Sequence, residues 1–170
     1  LTSPPYDNLR DYKGYTFDFE SIAKELFRIT KEGGVVVWVV GDATINGSES
    51  GTAFKQALFF KEIGFNLYDT MIYNKNKAPI NQKRYEDKFE FMFILTKGQP
   101  KTFNGLRENS IKAGSKQTSS QRGVDGIIKP RTNGFSIVND TKLKGNIWYF
   151  YCGANTHRTR ITCSMRARFL

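Results

Sequence analysis

Six consecutive apolar residues, Val35-Val36-Val37-Trp38-Val39-Val40, constrain this chain more than any other feature. Five are β-branched and the sixth is aromatic, which favours an extended backbone. Alternate side chains of a strand point to opposite faces, so an all-apolar strand needs cover on both sides. That condition predicts a layered α/β arrangement with this strand inside it, as in a parallel sheet. Gly41-Asp42 ends the run.

The flanking segments supply partners for such a strand. Phe19, Ile22, Leu26 and Ile29 recur at helical spacing, with Ala23 on the same face. Asp18 is placed to cap that helix, and Gly33-Gly34 to stop it. Asn46 to Thr52 is polar and rich in Gly and Ser, hence a loop. Phe54, Ala57, Leu58 and Lys61 predict a second helix face, with Gly64 just past its end. Two more strands are expected at Asn66–Tyr73 and at Phe89–Thr96, as an antiparallel pair. The charged stretch from Asn74 to Lys88 reads as a long loop between them. Residues 104–134 show little periodicity and read as a surface insertion, followed by short strand signals at Phe135–Val138 and Asn146–Tyr151.

Charge divides the chain in the same place. Residues 1–100 hold 13 Lys/Arg and 13 Asp/Glu, a balance of zero, whereas residues 101–170 hold 13 and 3, a net +10. A neutral patterned part followed by a basic part suits a folded core that carries a surface for a polyanion. The organisation expected is 1–100 as the core, 101–150 as a basic region and 151–170 as a divergent tail. The apolar run is far short of the roughly 20 residues of a membrane helix. LTSPPYDNLR lacks the pattern of a signal peptide. It has no initiator Met, so a fragment or processed product is expected. Cys152 and Cys163, with His157 the sole histidine, make a poor zinc set and read as two reduced thiols of a cytoplasmic protein.

The segment that speaks to chemistry is Thr2-Ser3-Pro4-Pro5-Tyr6. Read alone, it is a polyproline turn. Read in context, an apolar residue, SPPY, a helix and an all-apolar strand follow one another. That arrangement resembles the amino-methyltransferases of DNA, whose catalytic motif is Asp, Asn or Ser followed by Pro-Pro and an aromatic. FDFESIAKELFRITKEGGVVVWVVGD, TAFKQALFFKEIGFNLYDTMIYNK, RYEDKFEFMFILTKG and GNIW extend the resemblance over most of the chain. The motif order is that of the permuted class, with catalysis before cofactor binding. The resemblance implies part of an α/β, Rossmann-like fold that uses S-adenosylmethionine, and a double-stranded DNA substrate.

The chemistry implied there needs these residue types. An exocyclic amino group on cytosine or adenine is a weak nucleophile, because its lone pair is delocalised into the ring. Ser3 offers a hydroxyl oxygen and Pro4 a carbonyl to its two hydrogens. Pro4-Pro5 has fixed φ and no N–H, so its carbonyls can face a pocket without donors to satisfy. Tyr6 can stack on the base. A paired base cannot reach such a site, so it must be extruded. Serine at position 3 is commonest, in the resembled family, in enzymes acting on N4 of cytosine, and aspartate in those acting on N6 of adenine.

The family's Gly-x-Gly cofactor signature is absent, since none of the 15 glycines is separated from another by one residue. A truncated chain with weak or no activity of its own is therefore expected, and Asp42, at the end of a strand, is the one cofactor-binding candidate. Asp7, Asn8, Arg10 and Asp11 follow the motif as substrate closure or a solvated turn. Arg84 can meet a phosphate or pair with Glu86. Candidate DNA contacts are Lys101, Arg107, Lys112, Lys116, Arg122, Lys129, Arg131, Lys142 and Lys144. The competing reading is a nucleic-acid-binding α/β module in which SPPY is only a turn. A third is an enzyme acting on RNA or protein.

Overall fold

A computed structural model describes residues 1–5, 14, 16–75, 83–118, 120–130 and 135–150. The described residues divide into two units, Leu1–Lys101 with Asn146–Phe150, and Thr102–Gly145. The first unit therefore takes back Asn146–Phe150 from the region expected to run to residue 150.

Helix α1 spans Phe19–Ile29, and the Asp18 carboxylate accepts a hydrogen bond from the Ser21 N–H at 3.2 Å. Phe19, Ile22, Ala23, Leu26 and Phe27 face the core. Ile29, expected on that face, is exposed. At about 100° per residue it lies roughly 120° round the helix from Ala23, and Phe27 takes its place.

Strand β1, Val35–Val40, is followed by β2 (Thr44–Ile45) and β3 (Ser48–Glu49). These two form a hairpin in place of the expected loop. Asn46 and Gly47, at φ 49° and 81°, supply the left-handed turn that suits the strand twist.

Helix α2, Thr52–Glu62, buries Ala53, Gln56, Ala57 and Phe60. The expected face comprised Phe54, Ala57, Leu58 and Lys61, yet Phe54 and Leu58 are exposed. Two alanines one turn apart let this helix approach the sheet closely, and the bulkier residues flank the contact. Gly64, φ 112°, ends α2, and a Cβ there would lie 2.8 Å from Phe27 Cζ.

Strands β4 (Asn66–Lys75) and β5 (Phe89–Thr96) pair antiparallel, as expected, with a bulge at Leu67–Asp69. The expected parallel setting of β1 does not hold. β1 pairs antiparallel with β5, from Val35 opposite Thr96 to Val40 opposite Phe91. Strand β12, Ile147–Phe150, adds parallel to β4, giving the order β1-β5-β4-β12. The resulting architecture is a mixed α/β sheet.

β1 is nevertheless buried on both faces in its second half. Trp38 and Val40 join Phe93, Leu95, Ala23, Ala53, Ala57, Phe60 and Phe65 beneath the helices. Val39 joins Met92 and Tyr73 on the other face, against Trp148 and Phe150. Edge-to-face rings bind the helix side together, with Phe60 centred 5.1 Å from Trp38 and 5.3 Å from Phe19.

The second unit is a nested antiparallel ladder, not an irregular insertion. Its outer pair is β6 (Arg107–Asn109) with β11 (Thr141–Leu143). Within it lie β7 (Lys116–Gln117) with β10 (Ser136–Ile137), and then β8 (Ser120–Arg122) with β9 (Ile128–Pro130). None of its residues whose burial is described is buried, so backbone pairing rather than an apolar core organises it. Its sequence therefore shows little of the alternation by which a half-buried strand is read.

Candidate active site

The Ser3-Pro4-Pro5 segment is anchored to β1 through Thr2. The Thr2 N–H donates to the Val37 carbonyl at 2.9 Å, and the Val39 N–H donates to the Thr2 carbonyl at 3.0 Å. This bridge is parallel. The chain leaves Thr2 in the direction of β1, and Ser3–Pro5 emerges where β1 ends. Pro4 is buried, Pro5 half-buried and Ser3 exposed. Burial of a residue without an N–H leaves no donor to satisfy. Tyr6, with Asp7, Asn8, Arg10 and Asp11, lies outside the described residues.

Trp38, the residue bracketed by Thr2, is held from the helix side. Its indole N–H donates to Gln56 Oε1 at 2.8 Å, with both side chains buried. Gln56 also lines an open cavity of about 680 Å³ beside Pro5, whose walls include Phe17, Phe19, Phe59, Asp18 and Lys55. The cavity is apolar on its aromatic side and charged at its rim. The Asp18 carboxyl there is held below its ordinary range by hydrogen bonding to Ser21, side chain first and backbone second.

Asp42 stands just past β1, but its carboxylate is engaged in the fold. It accepts from the Ala53 N–H at 2.9 Å and from Ser50 Oγ at 3.2 Å. The N-cap of α2 is Gly51, which has no side chain to cap with, and Asp42 does this work from outside the helix. Arg84 does not meet Glu86. Its guanidinium donates to Thr44 Oγ1 at 2.8 Å and to the Gly47 carbonyl at 2.7 Å, bracing the β2–β3 hairpin. Glu86 instead pairs with Lys88 at 2.8 Å. A buried pair that the sequence pattern does not signal, Lys75 with Glu90 at 2.9 Å, lies at the same end of the sheet. The acid–base spacing spans two strands, and only the register of β4 on β5 reveals it.

In the second unit, an open groove of about 880 Å³ is lined by Arg107, Lys112, Lys116 and Lys142, among others. Arg107 donates to Thr141 Oγ1 and its carbonyl, which closes the outer ladder. Lys142 pairs with Glu108 at 3.2 Å and Lys129 with Asp125 at 3.0 Å. The Asp125 carboxyl is drawn below its ordinary range by Lys129 and by the Ile127 N–H. Lys116 sits over the Phe135 ring, 4.5 Å from its centroid. Lys112 and Arg122 are exposed and have no ion pair among the described residues. Lys144 donates its backbone N–H to the Leu106 carbonyl. Lys101 belongs to the first unit. Arg131, Cys152, His157 and Cys163 lie outside the described residues. Among those described, no His/Cys/Asp/Glu group could hold a metal ion, and no helix is long and apolar enough to cross a membrane.

The family model for N6/N4 DNA methylases matches residues 1–163. The chain belongs to this DNA methylase family. It is 53% identical over 152 residues to the orphan methyltransferase M.BamHII of Bacillus amyloliquefaciens, covering 87% of this chain and 57% of that protein. It is 31% identical over 132 residues to the type II beta methyltransferase M.BslI of Bacillus sp. (strain NEB-606), covering 61% of this chain and 14% of that one. The chain thus spans just over half of the first relative and a small part of the second. Among solved structures, it is similar to the M1.HpyAVI–SAM complex, with a TM-score of 0.43, 22% identity and coverage of 58% and 42% of the two chains. It is also similar to TTHA0409 of Thermus thermophilus complexed with S-adenosyl-L-methionine, with a TM-score of 0.44, 19% identity and coverage of 61% and 46%.

S-Adenosylmethionine is the methyl donor of this family. Among the described residues, the close backbone approaches that glycine permits lie mainly away from the motif. A Cβ would collide at Gly33, Gly34, Gly64 and Gly98, which lie at the end of the sheet opposite Ser3–Pro5. Gly47 and Gly51, at the near end, have open space around them rather than a closely approached backbone.

Proposed function

We propose that this chain supplies the base-binding and DNA-binding part of a DNA amino-methyltransferase, acting on the exocyclic amino group of an extruded base. The observation that carries the proposal is the Thr2 bridge, which presents Ser3–Pro5 at the end of a strand buried on both faces. Ser3 Oγ and the Pro4 carbonyl accept the two amino hydrogens. These hydrogen bonds strengthen as the nitrogen becomes tetrahedral and its lone pair leaves the ring. Tyr6 stacks on the base, and Pro5 stiffens the loop between them.

Serine at position 3 favours N4 of cytosine over N6 of adenine, because the resembled enzymes with serine there act mostly on cytosine. Both bases offer the same edge, an amino group beside a ring nitrogen, so this preference rests on resemblance alone. The basic residues from Lys101 to Lys144, Arg131 included, act as phosphate contacts, with Lys112 and Arg122 the most available. Asp42 caps α2, and we assign it no cofactor contact. S-Adenosylmethionine provides the methyl group in the family, and no step through it is derived from the residues described.

Two measurements test this reading. Transfer of labelled methyl from S-adenosylmethionine to mixed DNA should be weak or absent with the 170-residue chain. Robust turnover would show that it builds a cofactor site of its own. Binding of the chain to duplex DNA should fall steeply with salt, and Ser3→Ala should leave that affinity intact. Absence of DNA binding at low salt would overturn the proposal.

A further inference from the structure

One aromatic at the motif end of the sheet takes no part in the functions above. Tyr85 is fully exposed, at 100%. It does not sit on a free strand of chain. Arg84, before it, is tied to Thr44 and Gly47 by two hydrogen bonds. After it, Glu86 pairs with Lys88, and Asp87 approaches the Lys75 ammonium at 3.8 Å. The Lys75 N–H donates to the Lys88 carbonyl at 2.6 Å, which binds the end of the segment to β4. A segment fastened on both sides of Tyr85 holds that ring out in water.

Its position bears on function. β5 begins just after this segment, and Phe91 lies opposite Val40, the last residue of β1. Residues 83–88 therefore leave the sheet at the end where Ser3–Pro5 emerges. Lys83 and Arg84, adjoining Tyr85, carry positive charge and are exposed. A flat aromatic beside cations suits a nucleic acid, offering a stacking surface with phosphate contacts next to it. Extruding a base leaves a gap between its neighbours, and a protein that fills the gap recovers part of the lost stacking.

We infer that Tyr85 enters the DNA duplex and stacks in the gap left by the extruded base. This rests on the base-extrusion reading above and adds the residue that compensates for it. Full exposure makes Tyr85 replaceable without loss of fold.

The test compares the full chain with its Tyr85→Ala and Tyr85→Phe variants. The probes are a fluorescein-labelled duplex of mixed sequence and the same duplex with one central abasic site, read by anisotropy. The abasic duplex should bind the parent chain roughly tenfold more tightly, the scale of one base–aromatic stack. Tyr85→Ala should erase that preference and keep most of the affinity for the paired duplex, and Tyr85→Phe should retain it. An unchanged preference in Tyr85→Ala, or none in a parent chain that binds paired DNA, overturns the stacking role alone. Failure to bind either duplex overturns the DNA reading and the stacking role with it.

Discussion

Replacing Gln56 by leucine isolates one buried hydrogen bond on which the position of the motif depends. Trp38 is 1% exposed and Gln56 5% exposed, and the indole N–H reaches Gln56 Oε1 at 2.8 Å. Leucine has nearly the volume of glutamine and an equal liking for helix, so the substitution chiefly removes the acceptor. The buried indole N–H is then left without its protein partner, which costs about 1–3 kcal/mol. For a chain of this size each kcal/mol lowers the melting temperature by about 2–4 °C, so Gln56→Leu should melt roughly 2–12 °C below the parent.

Urea denaturation followed by tryptophan fluorescence gives the free energy directly. The double change Trp38→Phe with Gln56→Leu removes both partners and should cost less than the sum of the single changes. Thr2 brackets Trp38 through the Val37 carbonyl and the Val39 N–H. Loosening the indole should therefore speed amide exchange at Thr2 and Val39. Parent-like stability of Gln56→Leu, within about 0.5 kcal/mol, would refute the argument, because the indole N–H would then have found another partner.

Four further outcomes follow from the same geometry. Asp42→Ala removes the external cap of α2 and should destabilise the chain by about 1 kcal/mol in urea titration; a parent-like value would refute the capping role. Phe60→Ala empties a fully buried site between Trp38, Phe19 and Phe65 and should cost about 3–5 kcal/mol, read by the same titration. Asp18 has a depressed folded pKa from its Ser21 hydrogen bonds, so its contribution is complete above the ordinary carboxylate range and is lost as pH falls through the folded value; helical circular dichroism should fall on acidification, and Asp18→Asn should lack that component. For DNA binding, the slope of log affinity against log salt should become shallower by about one unit in each of Lys112→Ala and Arg122→Ala, with little dependence on base sequence.

What the sequence discloses here follows from where each element writes its pattern. Helix α1 and the long strands carry their periodicity in their own residues, so their existence and approximate limits are legible. Pairing is not. VVVWVV and FEFMFILT are almost wholly apolar, and such strands report that both faces are covered without reporting by what. A slip by one residue leaves either face apolar, so nothing in the pattern specifies the register or direction of β1 on β5. Burial on both faces is met by an antiparallel neighbour as well as by a parallel one.

The candidate site divides in the same way. Ser3-Pro4-Pro5 is legible because a Pro-Pro pair beside a strand signal is unusual and the chemistry it allows is local. Its placement is not local. Thr2 depends on Trp38, Trp38 on Gln56, and Gln56 on a helix whose buried face the spacing of Phe54 and Leu58 misassigns. The available clue is a glutamine at helical spacing between Ala53, Ala57 and Phe60, a polar side chain on a face otherwise small or apolar. Such a residue stays buried only with a partner, and Trp38 is the buried N–H donor that meets it. Arg84 shows the converse. Its neighbour Glu86 suggests a pair, yet the turn carbonyl of Gly47 and the hydroxyl of Thr44 hold it instead. That arrangement leaves Tyr85 directed at solvent at the motif end of the sheet, a placement that spacing along the chain could not have indicated.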